Sequence, residues 1–211
     1  MSKGDEVKKL GFADILRNDM KRLTSLDLML AVVIGVIARI YMIVGSPAIN
    51  VLLHGMGPLG DLINAASFLV VLYALLMLPG MIRLNGITAW LTAMLMAIFR
   101  ILTGDPWGVV ALQAYFLAGF FTWLTLAALR YKLKLFHWFI AAFVWTFWVD
   151  LIFGLYFAIW PLFGSVILGW IFYLIVQRII CGFLVAIVLF YAYRALTKVE
   201  AMRGIIITKY L

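Results

Sequence analysis

The sequence predicts an all-α integral membrane protein: a bundle of six transmembrane helices with both termini in the cytoplasm. Three observations carry that expectation. Of the 211 residues, 67% are hydrophobic and 12% are charged, whereas a soluble domain carries about 25% charged residues. A single domain of this length cannot hide so much apolar surface from water. Six apolar runs approach or exceed the roughly 20 helical residues that a hydrocarbon core requires. The positive charges, finally, alternate between successive loops.

Taken in order, residues 1–25 form a cytoplasmic amphipathic segment. Val7, Leu10, Ile15, Leu16, Met20 and Leu23 recur at roughly helical spacing among charges, the pattern of a helix lying on a membrane surface. The segment is too long and too mixed in charge for a signal peptide. Thr24 and Asp27 fit a capping box for the first span. The six spans are read at 26–44, 62–79, 86–103, 107–129, 136–160 and 165–194. Proline and glycine mark most of the breaks between them: SPAINVLLHGMGPLGD, PGMIRLN, TGDPW and WPLFGS, with RYKLKLF as the basic exception. The sixth run exceeds the bilayer thickness and is expected to tilt or project. The membrane domain thus covers 26–196, and a cytoplasmic tail covers 197–211.

Lys and Arg set the direction. Lys3, Lys8, Lys9, Arg17, Lys21 and Arg22 precede the first span, Arg83 lies in the second loop, and Arg130, Lys132 and Lys134 lie in the fourth. Arg194, Lys198, Arg203 and Lys209 follow the sixth span, while the first, third and fifth loops hold none. The positive-inside rule therefore assigns both ends to the cytoplasm. The net charge of +8 is explained by this placement, and no nucleic-acid partner is implied. The lone Cys181 excludes an internal disulfide, and no clustered His/Cys set suggests a metal.

Charges inside the spans need a reason, because each costs a few kcal/mol at the bilayer centre. Arg39 and Arg100 end their spans near the outer surface. At about 1.5 Å per residue, Asp150 lies roughly 15 Å, and Arg178 roughly 20 Å, below the outer ends of their helices, so they can meet as an ion pair. Gln113 and Asn64 also fall in outer halves, and Asp61 and Asp105 at the outer rim, with Trp107 beside the latter. Two readings stand. Arg39 and Arg100 snorkel to headgroups and Asp150–Arg178 locks two helices, or these groups line a water-accessible recess open to the outside. Ala31/Gly35 and Ala89/Ala93/Ala97 place small residues at four-residue spacing, which serves internal packing or a partner's docking.

Six short spans, inward termini and an outward polar recess resemble the substrate-binding S-components of energy-coupling factor (ECF) vitamin transporters, and within them the YkoE-like group associated with thiamin or its hydroxymethylpyrimidine precursor. The resemblance runs from Asp61 to Gly204. Its pieces are Pro79-Gly80, Gly104-Asp105-Pro106-Trp107-Gly108, the stretch Val149–Gly154 around Asp150, and the stretch Val176–Gly182 around Arg178. The resemblance implies capture of a small molecule from outside and docking on a membrane T-subunit driven by two cytoplasmic ATPases. A toppling motion would then release the substrate inward. It implies docking through small residues on span one, which Ala31 and Gly35 match loosely. ATP and its magnesium belong to the partner subunits, since this chain has no GxxxxGK[ST] loop and no cofactor or catalytic residue of its own.

The chain departs from that group where glutamates are expected: Ala93, Arg100 and Trp123 stand there, and Ala118 stands in place of a glutamine. Acids would suit a cationic ligand. Their loss predicts a neutral or anionic one, with Arg100 and Arg39 near an anionic group and Trp123, Trp107 and Tyr115 against a ring. The expected binding set is therefore Arg100, Arg39, Gln113, Tyr115, Trp107, Trp123, Asn64, Asp150 and Arg178. The alternatives are a non-catalytic membrane assembly subunit and, more remotely, a membrane phosphotransferase suggested by Gly35-x-x-Ala38-Arg39, which lacks the several aspartates a two-metal site needs. A proton- or ion-coupled carrier would need a buried acidic or histidine relay, whereas His54 falls in an outer loop and His137 near the inner surface.

Overall fold

The computed structural model describes residues 11–53, 56, 60, 63, 65–158, 166–202 and 204–207. Val7, Leu10, His54, Asp61 and Asn64 lie outside the described residues, as do Lys3, Lys8, Lys9, Arg203, Lys209 and the whole of the expected WPLFGS break.

The described chain is helical throughout: α1 (Phe12–Lys21), α2 (Ser25–Leu53), α3 (Val70–Arg83) entered through a π-helical turn at Ala65–Leu69, α4 (Gly86–Leu102), α5 (Gly108–Ala128), α6 (Leu135–Ala158) and α7 (Val166–Leu196), then a short 3-10 turn at Glu200–Met202. Four stretches are long and apolar enough to cross a membrane: Ser25–Ile49, Gly108–Ala128, Leu135–Leu155 and Arg178–Leu196. Ser67–Arg83 and Gly86–Leu102 are apolar but shorter; 17 residues of α4 rise about 26 Å at 1.5 Å each, against a core of about 30 Å.

Helices α4, α5, α6, α7 and α3 pack successively into a ring, with α3 closing it against both α4 and α7. Helix α2 lies outside the ring, on α3 and α4. Its ring-facing line includes Ala31, Gly35 and Ala38; its opposite face leaves Val32, Val33, Val36 and Ile37 exposed. A Cβ added at Gly35 would stand 3.2 Å from the Thr92 carbonyl oxygen of α4. The small-residue stripe, read as serving internal packing or a partner's docking, is covered by α4, where Ala89, Ala93 and Ala97 are also buried. Close backbone approach is what small residues supply in an apolar solvent, where burial in itself contributes little to helix pairing.

Two proline-marked breaks turn out to be helical. Helix α2 continues through Pro47 to Leu53 rather than stopping near residue 44. Proline removes one backbone bond, and the apolar sequence resumes directly after it, so the helix is interrupted without ending. Helix α3 likewise runs through Pro79-Gly80 to Arg83. There the missing side chain admits α4: a Cβ on Gly80 would lie 2.7 Å from the Ala89 Cβ. Pro79-Gly80 marks a helix crossing, and the turn falls at Leu84, in the left-handed region with φ 45°.

One end of the bundle is closed by the amphipathic segment. Helix α1 lies on α4 and α5 with Ile15 and Asp19 fully buried, a pair one helical turn apart on the same face. Asp19 Oδ2 accepts from Trp123 Nε1 at 2.8 Å and from Tyr131 Oη at 2.5 Å. Tyr131 Oη accepts in turn from the Gly86 N–H, and Asn85 Nδ2 donates to the Asp19 carbonyl. The Thr24/Asp27 capping box is formed: Thr24 N–H donates to Asp27 Oδ2 and Asp27 N–H to Thr24 Oγ1. Asp27 also receives Arg83 Nε at 2.7 Å, while Arg83 Nη1 donates to the Ile205 carbonyl and ties the tail to the same end.

Candidate functional site

At the opposite end of α4 the chain reverses through Thr103-Gly104-Asp105-Pro106-Trp107. Gly104 takes φ 72°, a conformation that costs a residue with a Cβ but is easy for glycine. Its N–H donates to the Ile101 carbonyl and the Asp105 N–H to the Arg100 carbonyl, both at 3.0 Å. That pair of bonds is the Schellman motif, which folds Asp105 back onto the last turn of α4. Its carboxylate then accepts the Trp107 N–H at 3.0 Å and orients the start of α5.

The same carboxylate receives two arginines. Arg100 Nε reaches Asp105 Oδ2 at 3.0 Å and Arg100 Nη2 reaches Oδ1 at 3.2 Å, a two-point grip. Arg39, from α2, places Nη1 2.9 Å from Oδ2 and donates through Nε and Nη2 to Thr103 Oγ1. The arginines are only 3% and 9% exposed. Burial alone would raise the Asp105 carboxyl, but the Arg100 bond, the Trp107 N–H and the charges of Arg100 and Arg39 outweigh it and hold it below its ordinary value. Arg39 and Arg100 are both held by one aspartate of this turn.

Inside the ring the polar chain continues. Tyr115 of α5 is buried beside the Arg100 guanidinium and within electrostatic range of Asp150. Its ring stacks on Trp145 of α6, centroids 6.3 Å apart, and Phe153 of α6 lies 5.8 Å beneath Arg100 Cζ. Asp150 and Arg178 join α6 to α7 as the expected ion pair, Oδ2 to Nε 2.6 Å. The two atoms are close but not aligned for a hydrogen bond, and Arg178 Nη1 and Trp145 Nε1 also lack a hydrogen-bond partner among the described residues. Tyr73 of α3 and Cys181 of α7 complete the surroundings, both buried and within range of the pair.

The structure thus brings together Arg39, Arg100, Tyr115, Asp150 and Arg178 from the expected set. It does not bring in Trp123, which lies toward the other end of α5 with its indole N–H on Asp19; at 1.5 Å per residue the position is about 12 Å along the helix from Tyr115. Trp107 is 43% exposed in the turn. Gln113 is exposed and lines a separate apolar groove of about 440 Å³ with Met94, Leu112, Phe116, Leu117, Ile152 and Leu155, a size within the usual range of ligand pockets. Sequence reading missed Asp105 as the shared counter-charge, and Trp145 altogether. The signal for Asp105 was present: in Arg100-x-x-x-Gly104-Asp105 a helix-terminating glycine brings the residue after it back over the helix's last turn. Nothing in the sequence singles out Trp145 among eight tryptophans.

The class defined by this fold and cluster is a bundle that is helical among the described residues, with helices long and apolar enough to cross a membrane and an ionic network within it. Comparison with known proteins adds no relative: no family model, curated protein or solved structure matches the chain.

Proposed function

We propose that the chain is the substrate-capturing S-component of an ECF-type importer. In this reading it crosses the membrane six times with both termini cytoplasmic and takes up a small vitamin or vitamin precursor, a neutral or anionic ring compound, from outside. It then delivers that compound through a T-subunit driven by two ATPases. The observation that carries the reading is the convergence of Arg100, Tyr115, Asp150 and Arg178 within the ring, at the end opposite the basic one. Charges in a membrane bundle that face inward rather than toward lipid mark a ligand or ion path. The orientation is supported by the α1 end: Arg17, Lys21, Arg22, Arg83, Arg130, Lys132 and Lys134 all belong to elements that meet there, the side the positive-inside rule makes cytoplasmic.

A second reading is favoured by one observation. Arg39, Arg100 and Arg178 all have carboxylate partners within the chain, an arrangement sufficient to lock helices in an assembly subunit without a ligand. Native mass spectrometry of the full chain released from nanodiscs separates the two. A bound endogenous small molecule supports capture. A ligand-free protein that also fails to co-purify with membrane or ATPase subunits overturns it. Labelling with a membrane-impermeant maleimide tests the topology in a Cys181→Ser background: Trp107→Cys is expected to label in intact cells and Lys132→Cys only after lysis.

A further inference from the structure

Five ionic side chains are linked at this end of the bundle: Arg39, Arg100 and Arg178 against Asp105 and Asp150. Among these groups one positive charge has no counter-charge. The place where it is least satisfied is specific. Arg39 binds Thr103 and Asp105, and Arg100 grips Asp105 at two points. Arg178, by contrast, is 5% exposed, meets Asp150 out of hydrogen-bond alignment, bonds to the Cys181 thiol, and leaves Nη1 without a hydrogen-bond partner among the described residues. An unmade bond at a buried charged donor carries the full cost of desolvation. Trp145 adds a second unpartnered donor on a fully buried ring stacked against Tyr115. Tyr115 lies within electrostatic range of Asp150, and Tyr73 within range of both Asp150 and Arg178.

Resting on the capture reading above, we infer that the captured molecule is a monoanionic ring compound of the carboxylate class, and that Arg178, rather than Arg39 or Arg100, receives its oxyanion, with the Trp145 indole N–H as the additional donor. A single negative charge neutralises the cluster. A guanidinium edge suits a carboxylate's two oxygens. A cation of the same shape meets unpartnered donors and an uncompensated positive charge, and is rejected.

The test uses three probes of one shape and different charge on the full chain in nanodiscs: benzoate, benzamide and benzamidine, read by thermal unfolding and tryptophan fluorescence. Benzoate is expected to stabilise most and benzamidine not at all. Because removing Arg178 alone strands Asp150, the matched neutral variant is Asp150→Asn with Arg178→Gln; it is expected to unfold cooperatively and to lose the benzoate response. Trp145→Phe keeps the stacked ring and is expected to weaken benzoate about tenfold, the equivalent of one hydrogen bond to a charged group. Equal stabilisation by benzamidine, or a benzoate response retained in the neutral-pair variant, overturns the assignment. If native mass spectrometry finds a cationic or neutral compound bound, capture stands and only the carboxylate class falls; if no compound and no probe binds, both fall.

Discussion

The two ends of the bundle bury charge in opposite ways. At the Asp105 end, two guanidiniums from different helices share one carboxylate held in a turn. At the α1 end, Asp19 is buried from the other side: an aspartate sunk into the bundle accepts from an indole and a phenol. The first arrangement is bound together by ionic attraction in a poorly screened setting, the second by directional hydrogen bonds to a carboxylate. Two helices outside the ring, α2 and α1, are each fastened to it by one of these devices. Each peripheral helix thus adds a polar anchor to its packing, α2 through Arg39 and α1 through Asp19.

The sharpest way to break the comparison is Asp105→Ala. It strands two nearly buried arginines, and losing one partner of a buried pair costs about 3–5 kcal/mol; thermal unfolding in nanodiscs should show the largest loss of any single change discussed. Little loss would mean that Arg39 and Arg100 find water or headgroups instead. Asp19→Asn should cost less, about 1–3 kcal/mol, and act locally by loosening α1. Limited trypsin digestion is the readout, with faster cleavage at Lys21 and Arg22 expected and unchanged cleavage contradicting the anchor. Thr24→Ala removes the α2 cap and should cost about 1 kcal/mol, measured by the same unfolding assay.

Acid gives the most selective effect. The Asp105 carboxyl titrates below its ordinary value in the folded chain. Its contribution is therefore fully present above the ordinary carboxylate range and is lost only as pH falls through the lower folded value. The stability gap between the parent and Asp105→Asn should stay flat from neutral pH down to that range and close below it. A gap that closes near pH 6 would contradict the network.

Much of the helical layout was legible because its cause is local. Spans three and four match α4 and α5 within a residue or two, since Asn85 caps one helix and Gly104 ends it. Asp150 and Arg178 were legible as a pair because their depths follow from helical rise alone. Pro47 and Pro79-Gly80 were misread as stops: whether a proline ends a helix depends on the partner packed there, and the Ala89 contact at Gly80 is nonlocal. Trp123 was misassigned for a related reason. Its residue type suits a ring-binding role, but α5 carries it to Asp19, and only the three-dimensional path of α1 reveals that. Asp19 itself was visible as an acid in line with Ile15, a pattern that a surface helix has no use for and a docked helix does.

Arg39 meets its carboxylate across 66 residues of sequence. For a chain inserted as it is made, α2 enters the bilayer before Asp105 exists. At about 5–20 residues per second, that interval lasts roughly 3–13 s. During it the guanidinium must be held by headgroups, the insertion machinery or water, and its pairing with Asp105 waits for the Gly104 turn. Helix α2 thus completes its polar contacts only after two further helices have been made.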